Sequence, residues 1–140
     1  KGYKNILDVG CGYVFMGIVL SKFFNLEATL IDVNKRAVHL TEMNLKKNQV
    51  KGVAFVSDLY QNVSGVFDLI ITNPPIRAGK KVVLTLLKEA KNYLNEQGVL
   101  WFVIRKDQGA KSIIKEMEKE YRVTIQKKEK GFYVIKAKIS

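Results

Sequence analysis

The residues best suited to chemistry form the run Asn73-Pro74-Pro75-Ile76, which follows the short apolar stretch Phe67–Thr72. That stretch is typical of a buried strand. Two successive prolines must end it, because proline has no N–H for a sheet ladder and a fixed φ. Asn73 is therefore predicted at the carboxyl end of a strand, where open α/β sheets bind ligands. An amide oxygen beside a proline carbonyl, in a stiff loop, is suited to gripping a planar amino group.

A second set of polar and small residues is predicted at the end of the first strand. Asp8, Gly10, Cys11 and Gly12 precede a helix, and small residues there let backbone N–H groups approach a ligand. A dinucleotide G-x-G-x-x-G pattern needs glycine at position 15, where this chain has Phe15, so a pyrophosphate site is disfavoured. The acidic residue before the glycines suits a cofactor with a cationic or amino-bearing end.

Carboxylates also follow the second and third predicted strands. Asp32 lies 20 residues after Gly12, a spacing typical of a carboxylate that binds ribose hydroxyls. Asp58 is placed to accept a hydrogen bond from an adenine amino group. Either residue could instead cap a helix or turn. With Asp8 and Asn73, the two would line one edge of the sheet.

Alternating apolar and amphipathic segments predict the elements that position these residues. Strands are predicted at Asn5–Val9, Ala28–Ile31, Val53–Val56, Phe67–Thr72, Val99–Ile104, Tyr121–Gln126 and Phe132–Lys138, and helices at Phe15–Phe24, Lys35–Lys47, Lys80–Tyr93 and Ala110–Lys119. Apolar strands alternating with helices indicate a parallel sheet with right-handed crossovers. The last two strands indicate an antiparallel hairpin. The fold class is therefore α/β: a doubly wound, mostly parallel seven-stranded sheet ending in an antiparallel hairpin.

Local signals refine the boundaries of these elements. Asp32 and Asn34 can cap the second helix, and Gly79 opens the third. Gly98 is predicted to follow the third helix as a left-handed residue. The run Lys127–Lys130 is predicted to form a hairpin turn at an edge far from the site and to serve solubility.

Composition narrows the class of protein. The 140 residues indicate a single domain, and a net charge of +11 favours a polyanionic partner, nucleic acid first and anionic membrane second. No apolar run of membrane-spanning length occurs. A single cysteine fits a reducing cytoplasm, and one cysteine with one histidine makes no zinc site, so no metal is expected.

Taken together, the chain resembles the class I S-adenosylmethionine-dependent methyltransferases, and most closely the small-domain group of 16S ribosomal RNA guanine-N2 methyltransferases with their archaeal homologues. The stretches that carry the resemblance are 6–13, 57–60, 73–80 and 108–112. It implies a methyltransferase that acts on an exocyclic amino nitrogen, guanine N2 of ribosomal RNA being favoured, with ribosomal RNA or the small ribosomal subunit as partner.

The resemblance also assigns roles to residues. Asp8, Gly10, Cys11 and Gly12 would face the methionine part of the cofactor. Asp32, beside Val33, would bind the ribose, and Asp58 with Leu59 would frame the adenine. The amide of Asn73 and the carbonyl of Pro74 would accept hydrogen bonds from the target amino group, Pro75 would stiffen the loop, and Ile76 would pack on the base.

Cations near the same edge are the predicted RNA contacts. They are Arg77, Lys80, Lys81, Arg105, Lys106 and Lys111. Each could instead be an ordinary solvated side chain. Two alternative functions stay open: methylation of adenine N6 or of a protein glutamine N5, whose loops often carry an aromatic where this chain has Ile76, and a non-catalytic RNA-binding module.

Two departures from the family pattern bear on the cofactor. Val14 stands where relatives usually have glycine, and a β-branched residue is stiff and disfavours positive φ. Relatives also carry a segment before the first strand that helps to cover the cofactor, and we expect residues 1–140 to be a single methyltransferase catalytic domain that lacks this segment.

We expect the Val14→Gly variant to bind S-adenosylmethionine more tightly than the unaltered chain, because a valine side chain at this position would crowd the methionine end of the cofactor. Calorimetric titration of the cofactor into both proteins measures this. Equal affinities would show that Val14 leaves the site open.

Overall fold

The computed structural model describes residues 2–10, 16–74 and 76–139, with only the backbone described for Ile76. The strands are β1 (Asn5–Val9), β2 (Glu27–Asp32), β3 (Gly52–Val56), β4 (Phe67–Thr72), β5 (Leu94–Arg105), β6 (Tyr121–Glu129) and β7 (Phe132–Ile139). The α-helices are α1 (Met16–Phe24), α2 (Lys35–Lys47), α3 (Lys80–Glu89) and α4 (Ala110–Met117). Short 3-10 turns occupy Ile76–Ala78, Ala90–Tyr93 and Lys106–Gln108.

All seven strands form one sheet in the order β3-β2-β1-β4-β5-β7-β6. β1 to β5 pair in parallel, whereas β7 runs antiparallel to both β5 and β6. The predicted fold class is therefore confirmed. The order of the strands reverses between β1 and β4, and such a switch point opens a crevice at the carboxyl ends of the two strands.

Helices pack on both faces of the sheet. On the first face, α3 and α4 bury Leu86, Leu87 and Ile113 against β5 and β7. On the second face, α1 and α2 bury Ile18, Val38 and Leu45 against β1, β2 and β3. No helix among the described residues is long and apolar enough to cross a membrane.

The prediction for Gly98 is wrong. The third helix ends at Glu89, the chain continues through a 3-10 turn to Tyr93, and β5 begins at Leu94, five residues before its predicted start. Gly98 lies inside β5, where a Cβ atom would approach the carbonyl oxygen of Phe67 to 2.9 Å. Glycine is needed there for close approach of two backbones, not for a left-handed turn.

The prediction for the last hairpin is also wrong in its position. β6 continues to Glu129, and the turn is the pair Lys130-Gly131, with φ of 39° and 86°. Positive φ at both residues is typical of a two-residue hairpin turn. Arg105 pairs with Phe132 at the start of β7, and the backbone N–H of Lys106 donates to the carbonyl of Gly131 at 2.6 Å. The turn therefore lies at the carboxyl edge of the parallel strands.

Two buried tyrosines connect distant elements to α3. The hydroxyl of Tyr121, on β6, donates to the carbonyls of Leu87 at 2.6 Å and Lys88 at 3.3 Å. The hydroxyl of Tyr60 donates to the carbonyl of Leu86 at 2.8 Å. Both side chains are almost fully buried, so these bonds fix the carboxyl half of α3 against the sheet.

We expect Tyr121→Phe to lower the free energy of unfolding by about 1 kcal/mol, because it removes a buried hydrogen bond without changing the packing of the ring. Urea unfolding measures the difference. Tyr3→Phe is the matched control, since Tyr3 is 36% exposed. An equal loss in both variants would contradict the role of the Tyr121 hydroxyl.

Candidate functional site

The loop after β4 presents Asn73 at the switch point. Asn73 is exposed, whereas Pro74 is buried beneath it. The hydroxyl of Thr72 donates to the carbonyl of Val9 at 2.8 Å and so joins the ends of β4 and β1. Beyond Pro74 the chain makes a 3-10 turn and enters α3 through Gly79, whose φ is 101°. The predicted role of Gly79 is confirmed, and Asn73 is held between a fixed strand and a fixed helix.

Asp8 lies beneath the first turn of α1. Its side chain is 5% exposed, and one carboxylate oxygen accepts the backbone N–H of Gly17 at 3.2 Å. A Cβ atom on Gly17 would approach that oxygen to 2.7 Å, so only glycine lets the helix come this close. Gly10 has φ of 73°, and its N–H donates to the carbonyl of Ile31 at 2.9 Å.

The environment of Asp8 raises the pKa of its carboxyl group to about 7. Burial is the largest cause, the bond from Gly17 opposes it, and the nearby charge of Asp32 adds to it. A cation brought into the site would favour the ionised form. The charge of Asp8 at neutral pH therefore depends on what the site contains.

Asp32 and Asp58 follow neighbouring strands, as predicted. Asp32 is half-buried and accepts the N–H of Asn34 at 2.8 Å, and the side chain of Asn34 caps α2 through the N–H groups of Arg36 and Ala37. Asp58 is exposed, one residue after Ser57, whose N–H donates to the carbonyl of Asp32 at 2.9 Å. The predicted capping role thus belongs to Asn34, while Asp32 fixes the turn before it.

Two further predicted cofactor residues accompany these carboxylates. Val33 is 63% exposed, and Leu59 is half-buried with φ of 52°. The predictions for Cys11, Gly12, Val14 and Pro75 lie outside the described residues, as does the side chain of Ile76.

A cavity of about 800 Å³ joins the ends of β1 and β4. It brings together the predicted residues Asp8, Gly10 and Asn73, whereas the carboxylates of β2 and β3 do not line it. Its remaining walls are Tyr3, Met16, Leu20, Phe24, Leu26, Leu69, Ile71, Thr72, Trp101, Phe102, Val103, Val134 and Lys136.

This apolar wall was missed by the sequence analysis. Its signal on α1 is the i, i+4, i+8 spacing of Met16, Leu20 and Phe24, a second apolar stripe beside the one that faces the core. Trp101, from β5, is half-buried and lines the same cavity.

The predicted RNA-contacting cations are all exposed. Arg77, Lys80 and Lys81 lie around the start of α3, and the ammonium of Lys80 donates to the hydroxyl of Ser112 on α4. Arg105 and Lys106 end β5, and Lys111 lies in the first turn of α4. The structure thus gathers them at the carboxyl edge, beside Asn73, while their contact with RNA stays a prediction.

The comparisons with known proteins identify the family. The family profile described as "Methyltransferase small domain" matches residues 1–136. The chain is 46% identical over 138 residues to "Uncharacterized protein YbxB" of Bacillus subtilis, covering 95% of this chain and 69% of that protein. It is 39% identical over 103 residues to "Ribosomal RNA small subunit methyltransferase C" of Erwinia tasmaniensis, covering 70% of this chain and 30% of that protein.

Among solved structures, the fold matches the T. thermophilus 16S rRNA N2 G1207 methyltransferase (RsmC), a complex with AdoMet and guanosine. The TM-score is 0.85 at 23% identity, over 100% of this chain and 38% of that one. The chain thus spans roughly a third of these RNA-methylating relatives.

This chain belongs to the methyltransferase small domain family. The predicted class, a methyltransferase with S-adenosylmethionine as its cofactor, is confirmed at that level. The residues present fit the cofactor: a buried carboxyl and a positive-φ glycine end β1, and carboxylates end β2 and β3. A cavity adjoins the first of these positions.

The pKa of Asp8 gives a prediction for stability. The carboxyl group ionises near pH 4 in the unfolded chain and near pH 7 in the folded one, so the unfolded chain releases its proton first as the pH rises. Stability attributable to Asp8 is therefore lost between about pH 4 and pH 7, by up to about 4 kcal/mol. Asp8→Asn removes this loss because an amide does not ionise, and its oxygen can still accept the N–H of Gly17.

Urea unfolding between pH 4 and pH 8 tests the Asp8 effect. The control is Asp107→Asn, because Arg105 lowers the pKa of the exposed Asp107 carboxyl and its contribution has the opposite sign. Parallel pH profiles for the unaltered chain and Asp8→Asn would contradict the assignment.

Proposed function

We propose that this chain is the catalytic domain of an enzyme that transfers a methyl group from S-adenosylmethionine to N2 of guanine in the RNA of the small ribosomal subunit. The observation that carries the proposal is the position of Asn73 directly after β4, on the same cavity as Asp8 and Gly10 at the end of β1, with Pro74 next to it in the chain. An acceptor pair for an amino group thus adjoins the residues assigned to the methionine part of the cofactor.

The main contribution of the protein to the reaction is to position the two reactants. S-adenosylmethionine supplies an electrophilic methyl group on a sulfonium that is already a good leaving group. The side-chain oxygen of Asn73 and the carbonyl of Pro74 accept the two N–H groups of the target amine, which turns its lone pair toward the cavity. Holding reactants in line in this way supplies much of the rate enhancement of a bimolecular reaction.

The remaining cofactor contacts follow the edge of the sheet. Asp32, beside Val33, is assigned to the ribose, and Asp58 with Leu59 to the adenine. The bond between the Ser57 N–H and the Asp32 carbonyl supports this assignment, since it fixes the ends of β2 and β3 side by side. Cys11 and Gly12 complete the set assigned to the methionine part.

Two observations favour RNA as the substrate. The exposed cations Arg77, Lys80, Lys81 and Lys111 lie near Asn73, and a net charge of +11 suits a polyanion. The relatives named "Ribosomal RNA small subunit methyltransferase C" support a small-subunit target. A cytoplasmic location follows from such a partner and stays a prediction.

The main alternative is methylation of adenine N6 or of a protein glutamine N5. Ile76 in place of an aromatic residue favours guanine over these targets. Mass spectrometry of the methylated product distinguishes all three: N2-methylguanosine supports the proposal, while N6-methyladenosine or N5-methylglutamine would overturn its substrate assignment.

We expect Asn73→Ala to lower methyl transfer to RNA by at least about 100-fold, because the target amine loses the acceptor that aligns it. Transfer of labelled methyl to ribosomal RNA measures the rate, and calorimetry measures cofactor affinity, which should fall far less. The matched control is Asn92→Ala, an exposed asparagine in the 3-10 turn after α3, which should retain full activity. Retained activity in Asn73→Ala would remove Asn73 from the mechanism.

RNA binding without cofactor binding would favour the non-catalytic alternative. The unaltered chain would then bind RNA in a salt-dependent way, give no heat with S-adenosylmethionine, and methylate nothing.

A further inference from the structure

The β6–β7 hairpin reaches the same edge of the sheet as the candidate site. Its turn, Lys130-Gly131, is tied to the end of β5 by the bond from the Lys106 N–H. β7 lies two strands from β4, which is about 10 Å across the sheet. The first residue of β7, Phe132, therefore stands about 10 Å to the side of the strand that presents Asn73.

Arg105 and Phe132 form a stacked pair at this point. They lie directly opposite each other on β5 and β7, and the guanidinium carbon of Arg105 is 5.2 Å from the centre of the Phe132 ring. Asp107 binds the guanidinium at 3.2 Å and so holds its orientation. The Phe132 side chain is 39% exposed and that of Arg105 is 50% exposed. The ring and the guanidinium are thus both partly open to solvent at the carboxyl edge of the sheet.

The surroundings of this pair are mainly cationic. Lys127, Lys128, Lys130, Arg105 and Lys106 are all exposed, against the carboxylates of Glu129 and Asp107. Each carboxylate is already engaged, Glu129 by Lys127 at 3.4 Å and Asp107 by Arg105. The ammonium of Lys128 lies over the Tyr133 ring at 5.6 Å. Among the residues that the structure describes, neither Lys106 nor Lys130, which flank the stacked pair in the chain, forms a salt bridge with a carboxylate.

Planar stacking surfaces interleaved with cations match the chemistry of single-stranded RNA. Unstacked bases pack on aromatic rings and on guanidinium planes, and lysines neutralise the phosphates between them. A duplex offers no free base faces to such a surface. An acidic protein segment would use the cations but not the stacked planes.

We infer that the β6–β7 hairpin binds single-stranded RNA next to the methylated nucleotide, with a neighbouring base stacked on the Arg105–Phe132 pair and the backbone against Lys106 and Lys130. The inference rests on the proposed function, since it names a second contact for the same RNA substrate. It replaces the predicted solubility role of the Lys127–Lys130 run.

Fluorescence anisotropy with a labelled single-stranded RNA, at several salt concentrations, tests the hairpin. Phe132→Ala should weaken binding by about tenfold, and Phe132→Tyr should restore it, because the stacking surface returns. Lys130→Gln should make the plot of log affinity against log salt concentration less steep, by about 0.7 in slope. The matched controls are Phe23→Ala, an 80% exposed aromatic on α1, and Lys138→Gln, at the opposite end of β7.

Binding and methylation measurements together separate the hairpin from the proposed function. Affinity lost in Phe132→Ala and retained in Phe23→Ala supports the hairpin. Equal losses in these two variants, or no RNA binding by the unaltered chain, would overturn it. If the unaltered chain methylates RNA and Phe132→Ala does so at the same rate, the proposed role of the hairpin is overturned and the proposed function is not. If the chain binds RNA through the hairpin but does not methylate it, the proposed function is overturned and the role of the hairpin in RNA binding is supported.

Discussion

The parallel pairing of β1 with β4 is the constraint on which the candidate site depends. The chain crosses to β2 on one side of β1 and to β4 on the other, so the loops after β1 and β4 diverge and leave a crevice. The bond from the Thr72 hydroxyl to the Val9 carbonyl holds the two strand ends together beneath it. Asp8 and Asn73, assigned to the methionine part of the methyl donor and to the target amine, are both positioned from this junction.

The parts of the fold that were predicted correctly have local physical causes. The two prolines in the sequence end β4 whatever the strand packs against. The amide of Asn34 can cap α2 without contacts to distant residues. Both boundaries agree with the sequence analysis at each end of the element. The mostly parallel, seven-stranded class of the sheet followed from the alternation of strands with helices, which leaves few topologies once crossovers are right-handed.

What the sequence analysis missed depends on contacts between distant residues. A glycine at position 98 suggests the end of a helix. In the structure glycine is needed there because a Cβ atom would come too close to the Phe67 carbonyl oxygen on a neighbouring strand. The hairpin turn was placed at the wrong edge because its position depends on the antiparallel pairing of β7 with β5, which brings Phe132 opposite Arg105 at the carboxyl end of β5. The cavity wall combines Leu20 of α1, Trp101 of β5 and Val134 of β7, which only the folded sheet brings together.

The hydroxyls of Tyr60 and Tyr121 limit how the loop after β4 of this chain can change in length. They anchor α3 at Leu86, Leu87 and Lys88, while β1 anchors β4 at Thr72, so the segment between Asn73 and Gly79 joins two immobile supports. If a residue were inserted there, neither β4 nor α3 could shift to accommodate it, and the Asn73 amide would move instead. A change in what this loop binds is therefore expected from residue identity at constant loop length, or from lengthening of another element such as the hairpin turn.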